Sequence, residues 1–556
     1  MPNVRTGPKA GLTLQTVHLA FKTTAARTPV ADFLCVEPIT ARVYGIAAGS
    51  IAWGDAAAQV EALRAAYAHA GWGHGHRVGL LLENRPAFLF HWFALNALGA
   101  SVVPINAELR AAELEHLIGH SEITFAVALP ERAGDLRAAA KRAGIAAFAA
   151  VPIGEGTFSP PPAATSAPRA GAPIGEHTEC ALLYTSGTTG RPKGCMLSNA
   201  YFLRAGRWYA ELGGAAMVRR DTERVITPLP LNHVNAMAFS AMVVLTAGGC
   251  LVQLDRFHPR DWWATVRETR ATIVHYLGVM PAMLLAAPVT AADRDHHVRW
   301  GFGAGVDRAN HAPFEQRFGF PLVEAWAMTE TGAAACVMAN REPRHIGASC
   351  FGRAESFVEL RLVDEHGAEV PDGTPGELLV RSSGPDSRRH FFSGYLKDDA
   401  ATAAAWAGGW FHTGDMVRRD GEGNLYFVDR KKNVIRRSGE NISAVEVESV
   451  LNQHPAVKTS AVAATPDAVR GDEVLACIVL REPVPAAQRE SLAASIVQHA
   501  LDQLAYYKAP GYVAFVDVLP LTPSQKIQRG QLREMAQALP FSPDCIDTRA
   551  MKKRSP

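Results

Sequence analysis

The spacing of apolar residues alternates between two periods along the first hundred residues. Residues 53–71 (WGDAAAQVEALRAAYAHAG) place apolar side chains on one face of an amphipathic helix, which we expect to end at Gly71. Residues 77–83 (RVGLLLE) are a short apolar run typical of a buried strand, 87–100 a buried helix and 101–106 a second strand. This alternation predicts a largely parallel sheet covered by helices.

Residues 236–254 (AMAFSAMVVLTAGGCLVQL) form an uncharged apolar stretch of about the length of a membrane span. Three polar residues and the pair Gly248-Gly249 interrupt it. We therefore expect a buried helix, a break at the glycine pair and a buried strand, and no integral membrane association.

The pattern changes again toward the C-terminus. Residues 152–173 are rich in Pro, Gly, Ala and Ser and predict an irregular surface connection, whereas strand-rich segments with turn signals begin at about residue 355. Two amphipathic helices are expected at 443–455 and 486–504. These elements predict a small α+β domain at the C-terminal end.

Composition limits the classes of protein that this chain could be. With 556 residues, two or more domains are expected. A hydrophobic content of 48%, a charged content of 20% and a net charge of +2 are typical of a soluble globular protein and provide no field for binding nucleic acid. The eight cysteines include no C-x-x-C pair, and no signal peptide is apparent, so we expect free thiols and a cytoplasmic location.

The segment LLYTSGTTGRPKG (182–194) reads as a strand that enters a loop suited to phosphate. It does not fit the Walker A motif, because Gly187 and Gly190 are too close together and Lys193 is followed by Gly194. Its glycines permit tight turns that expose backbone N–H groups, and its hydroxyls and lysine can donate to phosphate oxygens. Taken alone, the segment could also be a flexible polar turn.

Four stretches, in order along the chain, resemble the signature motifs of one family. They are YTSGTTGRPKG (184–194), WAMTETG (326–332), GWFHTGDMVRRDGEGNLYFVDRKKNVIRRSGENISAVEVE (409–448) and PLTPSQKIQRGQLR (520–533). The resemblance is to the adenylate-forming superfamily, which contains acyl-CoA synthetases, carrier-loading adenylation domains and firefly-type luciferases. It covers nearly the whole chain.

The resemblance implies an α/β fold with two domains and the active site between them. Residues 1–429 would form a large N-terminal domain of stacked mixed sheets flanked by helices, with a strand-rich subdomain, and would hold the ATP and acyl sites. Residues 430–433 would be a hinge. Residues 434–556 would form a small mobile α+β domain that carries the catalytic lysine.

The implied reaction has two steps and uses ATP, Mg²⁺, coenzyme A and a carboxylic acid. The carboxylate attacks the α-phosphate of ATP, which gives an acyl-adenylate and pyrophosphate. A thiolate then attacks the acyl carbon and expels AMP. The protein must therefore neutralise developing charge on phosphate and hold two anions in line.

The resemblance assigns phosphate and metal contacts to two of the motifs. Thr329 would contact the α-phosphate, and Glu330 would hold Mg²⁺ together with Thr185. The residues expected to close over the β- and γ-phosphates are Thr185, Ser186, Gly187, Thr188, Thr189, Gly190 and Lys193.

Further residues would bind the nucleoside. Asp415, assisted by Arg430, would accept hydrogen bonds from the ribose hydroxyls. The segment GFGAG (301–305) would form one wall of the adenine and acyl pockets. The remaining nucleotide-binding residues expected from the motifs are Gly303, Ala304, Gly305, Ala325, Trp326, Ala327, Met328 and Phe427.

The C-terminal motifs imply one catalytic residue and a movement. The ammonium of Lys526 would bridge the substrate carboxylate and the α-phosphate during adenylation. Lys432 would be the hinge about which the C-terminal domain turns. That turn would bring Gly439, which leaves room for the pantetheine arm, to the site, and Arg436 and Arg437 would meet the phosphates of coenzyme A or form a solvated face.

Several residues depart from the family pattern, most of them near the predicted acyl site. His233, in PLPLNHVNAM, matches the element that gates or lines the acyl pocket, although a lone histidine beside apolar residues is often structural. The usual Tyr-Gly before MTE is Trp326-Ala327, and Gln525 replaces the usual glycine before the catalytic lysine. Asn232, where an aromatic residue is common, favours a small or partly polar acid.

Three alternatives to an acyl-CoA synthetase differ in what they require. An enzyme that loads a separate carrier protein shares all these motifs, although the chain has no room for an attached carrier after Arg533. A luciferase-like oxygenase needs a special substrate, and a non-catalytic nucleotide-binding switch is expected to lack Lys526 or Glu330.

Homodimers are common in the family, and the sequence leaves the oligomeric state open.

Overall fold

The computed structural model describes residues 15–109, 111–153, 160–171, 173–185, 192–433, 435–437, 440–467, 471–504, 506–521 and 526–552. The α-helices are α1 Val17–Arg27, α2 Pro38–Tyr44, α3 Trp53–His69, α4 Pro86–Ala97, α5 Ala111–Ser121, α6 Ala133–Arg142, α7 Asn199–Ala210, α8 Ala241–Ala247, α9 Trp262–Glu268, α10 Val279–Leu285, α11 Arg308–Phe318, α12 Asp399–Ala405, α13 Ala444–Leu451, α14 Ala486–Gln503 and α15 Arg529–Ala538.

The strands belong to several mixed sheets. They are β1 Asp32–Val36, β2 Gly49–Ala52, β3 Arg77–Leu81, β4 Ser101–Pro104, β5 Phe125–Ala128, β6 Ala149–Pro152, β7 Glu179–Thr185, β8 Lys193–Ser198, β9 Arg224–Thr227, β10 Cys250–Gln253, β11 Ile273–Leu277, β12 Trp300–Ala304, β13 Leu322–Trp326, β14 Val337–Met338, β15 Cys350–Gly352, β16 Val358–Val363, β17 Gly376–Ser382, β18 Gly394–Tyr395, β19 Phe411–Arg419, β20 Leu425–Arg430, β21 Ile435–Arg437, β22 Glu440–Ile442, β23 Val457–Asp467, β24 Gly471–Leu480, β25 Tyr512–Phe515 and β26 Cys545–Asp547.

The chain forms two compact units. The first unit comprises the described parts of Met1–Glu359 and Arg381–Phe411, and the second those of Leu360–Val380 and His412–Pro556. The α/β fold class is as predicted. The boundary at 429 and the hinge at 430–433 stay predictions.

Two sheets build the first unit. One has the strand order β14-β13-β12-β11-β9-β10-β1-β2 and the other β18-β8-β7-β4-β3-β5-β6. Most interior strands pair in parallel, as β3 does with β4 and β5, whereas β8 pairs antiparallel with both β7 and the edge strand β18, and β2 is an antiparallel edge strand. The prediction of a largely parallel sheet covered by helices is confirmed.

The early elements lie where the apolar pattern places them. Helix α3 ends at His69, and Gly71 adopts a φ of 83°, a left-handed conformation that favours glycine and ends the helix. The buried face of α3 includes Trp53 and Tyr67, which are both fully buried. Predicted strand 77–83 is β3, and predicted helix 87–100 is α4, which is buried almost throughout.

The uncharged stretch 236–254 is a buried helix followed by a buried strand, as expected. Helix α8 ends at Ala247, Gly248 and Gly249 both have positive φ, and β10 follows. In the part of the chain that the structure describes, no helix combines the length and apolar character needed to cross a membrane. All eight cysteines are free thiols, as predicted.

The second unit has its own sheet and core. Its strands β22-β21-β24-β25-β26 lie side by side, and β23 pairs antiparallel with β24 over ten residue pairs. Helices α13 and α14, the two amphipathic helices expected from the sequence, pack against this sheet through side chains such as Val447, Ile496 and Val497. In the same unit, β19 pairs antiparallel with β20.

Candidate active site

The loop predicted to hold phosphate joins β7 to β8. These strands pair antiparallel, and Thr185 stands directly opposite Lys193 where the hairpin opens. Both residues are half-buried. The structure therefore describes the two ends of the loop, at Thr185 and at Lys193. The predicted phosphate-binding residues between them, Ser186, Gly187, Thr188, Thr189 and Gly190, lie outside the described residues.

Two tyrosines hold the Thr329-Glu330 pair. Tyr201 on α7 donates its hydroxyl to the backbone carbonyl of Thr329 at 2.9 Å, and Tyr395 donates to Oε1 of Glu330 at 2.9 Å. The N–H of Phe392 donates to the backbone carbonyl of Glu330, also at 2.9 Å. Glu330 is only 7% exposed. Its carboxylate therefore has a fixed orientation before any ligand binds.

Tyr395 also connects this carboxylate to Lys193. The Lys193 ammonium lies 4.8 Å from the centroid of the Tyr395 ring and 4.0 Å from Oδ2 of Asp398. Burial first, and the charge of Glu330 second, raise the pKa of Tyr395, so that its hydroxyl remains a donor at neutral pH. The first unit thus brings a cation and a carboxylate together around one phenol, an arrangement suited to phosphate bound with a metal ion.

Cys195 lies close to the side chains of Thr185 and Glu330. Its sulfur is 4.0 Å from Oγ1 of Thr185. Burial, and next the charge of Glu330, raise the pKa of the Cys195 thiol well above its usual value. The thiol is thus a protonated packing group. The oxygen atoms that remain near it, those of Thr185 and Glu330, are the ligand type that Mg²⁺ prefers.

A buried glutamate fixes the segment predicted to line the adenine pocket. Glu324 on β13 accepts hydrogen bonds from the N–H groups of Gly305 and Val306, both at 3.0 Å, and from the Tyr276 hydroxyl at 3.2 Å. Burial raises the pKa of Glu324. Gly303 is buried at the end of β12, while Ala304 and Gly305 are exposed, so the end of this strand faces solvent.

The segment after Glu324 runs from the core to the surface. Ala325 and Trp326 are buried, and the Trp326 ring lies 6.1 Å from that of Phe351. Ala327, Met328 and Thr329 are half-buried. This segment leads directly to Glu330, so the predicted adenine and phosphate contacts follow one another along β13 and the turn after it.

His233 stands at the start of a segment that is wound as a π-helix over Asn235–Ser240. His233 is exposed, and Asn232 is half-buried. Behind the segment, the buried His275 lies 2.7 Å from Oδ1 of Asn235. π-Helical turns are frequent at functional sites. The role of His233 at the acyl pocket stays a prediction.

In the second unit, the predicted ribose-binding residues face each other across two strands. Asp415 on β19 pairs with Arg430 on β20, and Nε of Arg430 lies 2.7 Å from Oδ1 of Asp415. Asp415 is 1% exposed, whereas the Arg430 side chain is 43% exposed. Phe427, half-buried, is on the same strand as Arg430. The arginine thus holds the carboxylate while keeping part of its own guanidinium accessible.

Lys526 belongs to the same unit and lies close enough to Arg430 for their charges to interact. The residue is exposed. Two effects lower the pKa of Lys526: the loss of part of the water around its ammonium is the larger, and the charge of the Arg430 guanidinium is the smaller. The structure thus brings together Asp415, Arg430 and Lys526, three residues that are separated by up to 111 positions, from 415 to 526, in the sequence. Gln525 lies outside the described residues.

The predicted hinge and coenzyme A residues lie around β21. Lys432 is in a single 3-10 turn, Lys431–Asn433, and Arg436 is in β21, whereas Gly439 lies outside the described residues. Arg437 is 2% exposed. This burial separates Arg437 from solvent, and its predicted contact with the phosphates of coenzyme A stays a prediction.

The Arg437 guanidinium has a structural partner in the interior of the second unit. Its Nε lies 2.9 Å from both carboxylate oxygens of Glu473, and the Lys552 ammonium lies 2.5 Å from one of them. Glu473 and the Lys552 side chain are fully buried. One carboxylate therefore holds two buried cations.

Sequence reasoning missed the residues that hold the predicted groups. Tyr201, Tyr395 and Glu324 touch the site motifs, yet none was singled out. Glu324 had a usable signal, because it is the one charged residue in the apolar run PLVEAWAM. The tyrosines had none, since their partners are 128 and 65 residues away.

Comparison with known proteins identifies the family. The model for AMP-binding enzymes matches residues 21–396, and that for the C-terminal domain of AMP-binding enzymes matches residues 446–526. The crotonobetaine/carnitine–CoA ligase of Shigella flexneri is 31% identical over 473 residues, which cover 83% of this chain and 88% of that protein.

Solved structures agree with this assignment. ATP-bound MatB from Rhodopseudomonas palustris has a TM-score of 0.76 and 25% identity, and the match covers 94% of this chain and 99% of that one. The o-succinylbenzoate CoA synthetase of Bacillus subtilis, in complex with its acyl-adenylate, shares the fold with a TM-score of 0.76 at 23% identity, over 94% of this chain and 98% of that one. The chain thus belongs to the AMP-binding enzymes, the adenylate-forming superfamily that its four motifs resemble.

Proposed function

We propose that the protein is an ATP-dependent acyl-CoA synthetase, an AMP-forming acid–thiol ligase that passes through an acyl-adenylate. The observation that carries this proposal is the group around Tyr395, whose ring lies under the Lys193 ammonium and whose hydroxyl binds the buried Glu330 carboxylate. A cation and a carboxylate around one phenol suit a triphosphate with its metal ion. Two of the three proteins named above are named as a CoA ligase and a CoA synthetase.

The first half-reaction needs a positive environment around the phosphates. Lys193 would neutralise charge on the departing pyrophosphate, and Thr329 would donate its hydroxyl to the α-phosphate. The Tyr201 hydrogen bond fixes the backbone at Thr329, so this donor is positioned in advance.

The residues present fit Mg²⁺. The Glu330 carboxylate and the Thr185 hydroxyl would be its protein ligands, and Mg²⁺ usually takes one or two carboxylates and completes its shell with phosphate oxygens and water. Within the described ranges, no three His, Cys, Asp or Glu side chains are grouped to hold a metal ion by themselves, which is compatible with a site completed by the nucleotide. When bound, the ion would offset negative charge on the phosphates.

The second unit would supply the ribose contacts and the catalytic lysine. Asp415 would accept hydrogen bonds from the ribose hydroxyls while Arg430 keeps its carboxylate oriented. Lys526 would neutralise the charge that develops as the substrate carboxylate bonds to the α-phosphate.

The thioester-forming step would use coenzyme A. We propose that Lys432 is the pivot of a rotation that brings Gly439 to the acyl-adenylate. A separate carrier protein is the second candidate acceptor. Free coenzyme A is favoured because the names of the Shigella flexneri and Bacillus subtilis relatives include CoA.

We propose that the acid is small or partly polar. Asn232 and Asn235 bring amide groups to the segment after the β9 strand, and the buried imidazole of His275 holds the Asn235 amide. The Shigella flexneri relative is named for crotonobetaine and carnitine, and these two acids belong in the first screen.

Pyrophosphate release across short, branched, aromatic and cationic acids tests the proposal. We expect release to require an acid, ATP and Mg²⁺, and thioester formation to require coenzyme A in addition. Lys526→Ala should abolish most of the adenylation rate, whereas the control Lys458→Ala, an exposed lysine of the same unit, should not change it. Adenylation at the wild-type rate in Lys526→Ala would contradict the assigned role.

A further inference from the structure

Glu448 and Arg529 form a buried bidentate ion pair in the second unit. Nη1 and Nη2 of Arg529 donate to Oε1 and Oε2 of Glu448, each at 2.7 Å. Both residues also bind strand β23, because Val462 donates its N–H to Glu448 at 2.6 Å and accepts from Arg529 at 2.9 Å. A fork-to-fork contact of this kind fixes both the distance and the orientation of its partners.

Arg529 is the first residue of α15 and follows Lys526 by three residues. Three residues span at most about 10 Å, so the position of Arg529 restricts that of Lys526. Hydrogen bonds also join residues 520–521, which precede Lys526, to residues 527–528, which follow it. Leu521 pairs with Ile527 in an antiparallel bridge, and Gln528 binds Pro520 and Leu521 at 2.8 and 2.7 Å.

The buried Asp429 places the pair beside the ribose-binding arginine. Asp429 accepts the N–H of Arg430 at 2.7 Å and the hydroxyl of Ser443, the N-terminal cap of α13, at 3.2 Å. Its charge acts on both Glu448 and Arg529. Helix α13, the start of α15 and Arg430 therefore belong to one framework.

The charge state of the pair agrees with its geometry. Burial raises the pKa of Glu448, and the Arg529 guanidinium opposes this. Burial by itself would lower the pKa of Arg529, but Glu448 raises it. The pair thus offsets, for each group, part of the cost of holding a charge away from water.

We propose that the Glu448–Arg529 pair is a positioning device for adenylation: it holds the segment that carries Lys526 at a fixed place relative to Arg430. This inference rests on the proposed function of Lys526. Neither Glu448 nor Arg529 touches the reacting atoms. Their removal should therefore slow the step that uses Lys526 without weakening nucleotide binding to the same extent.

The same helix offers a matched control. Glu446 receives the Lys508 ammonium at 2.8 Å on both carboxylate oxygens, two residues before Glu448. Its side chain is 27% exposed, and that of Lys508 is 22% exposed. Loss of this pair also removes a charge contact from α13 but leaves β23 and the start of α15 unchanged.

The experiment compares Glu448→Gln, Arg529→Lys and Glu446→Gln in the full-length enzyme. For the first two variants we expect pyrophosphate release to fall about 10- to 100-fold, the effect of a misplacement of about 1 Å, with KM for ATP and thioester formation from supplied acyl-adenylate changed less than about twofold. Amide hydrogen exchange at residues 526–528 should become faster. Glu446→Gln should retain wild-type values in all these measurements.

Two results would overturn the inference. The first is adenylation within twofold of wild type in folded Glu448→Gln and Arg529→Lys. The second is an equal loss in both half-reactions together with a lower melting temperature, which would indicate a purely structural pair. The Lys526→Ala variant distinguishes a failure of this inference from a failure of the proposed function. An unchanged adenylation rate in that variant would contradict the role of Lys526 itself.

Discussion

Replacement of Tyr395 by phenylalanine tests whether Tyr395 prepares Glu330 for the proposed metal ion. The change removes one oxygen atom, which donates to Oε1 of Glu330 at 2.9 Å. It keeps the ring against which the Lys193 ammonium lies. The side chain is largely buried, so water does not readily replace the lost hydroxyl at the carboxylate.

The size of the effect follows from the kind of hydrogen bond that is lost. A hydrogen bond to a charged acceptor contributes about 1.5–3 kcal/mol, which corresponds to a factor of about 10 to 150 in an equilibrium constant. Loss of a residue that orients a metal ligand commonly costs about 10- to 100-fold in metal affinity. We therefore expect Tyr395→Phe to raise the Mg²⁺ concentration for half-maximal pyrophosphate release by at least about 10-fold.

The assay is a Mg²⁺ titration of pyrophosphate release at saturating ATP and acid, together with Mn²⁺ binding followed by electron paramagnetic resonance in the presence of ATP. Tyr426→Phe is the matched control, because Tyr426 donates to the Asp420 carboxylate at 2.7 Å in the second unit. Its Mg²⁺ dependence should equal that of wild type. A folded Tyr395→Phe enzyme with a midpoint within twofold of wild type would refute the reasoning.

Three further predictions concern buried charged or titratable groups. Glu324→Ala leaves two backbone N–H groups of the predicted adenine wall without their acceptor. It should raise KM for ATP, measured from initial rates, about 10-fold. An unchanged KM would argue against a positioning role for Glu324. Glu473→Ala leaves the cations of Arg437 and Lys552 buried without their shared partner and should cost about 3–5 kcal/mol in urea unfolding. Burial lowers the pKa of His91 to about 4, so its contribution to stability, up to about 3 kcal/mol, is complete above about pH 6.5 and is lost as the pH falls through about 4. In thermal melts, His91→Gln should flatten this acid dependence, and an unchanged slope would contradict it.

The apolar pattern predicted the elements well where the period was long and the ends were marked. Helix α3 has a full amphipathic repeat and a glycine at its end, and the break after α8 has two glycines. The order of the strands could not be read in this way. The β10 strand pairs with β1, which precedes it by more than two hundred residues, and no local period encodes that partner.

The motifs assign chemistry to particular side chains, but they do not predict the surroundings of those side chains. Asp415 and Arg430 were expected to cooperate and do lie in contact. The motifs left Arg437 either at the phosphates of coenzyme A or on a solvated face, and they did not predict that its guanidinium would lie against the buried Glu473. A charged residue in a basic stretch gives no sign of a carboxylate 36 positions away that will hold it in the interior. Burial of this kind depends on the packed sheet.

Residues to which the motifs assign no role help to explain how the assigned residues could work. Tyr395 binds Glu330, Glu324 binds the backbone at Gly305, and we propose that Arg529, held by Glu448, positions the Lys526 segment. In each case a group predicted to meet a phosphate or a nucleoside is held by a hydrogen-bonded partner. Such preorganisation matters because a charged group that is already oriented in a site with little water needs no rearrangement in the transition state. Loss of Tyr395, Glu324 or Arg529 should therefore lower metal affinity, ATP affinity or the adenylation rate, respectively, even in a chain that keeps every residue to which the motifs assign a role.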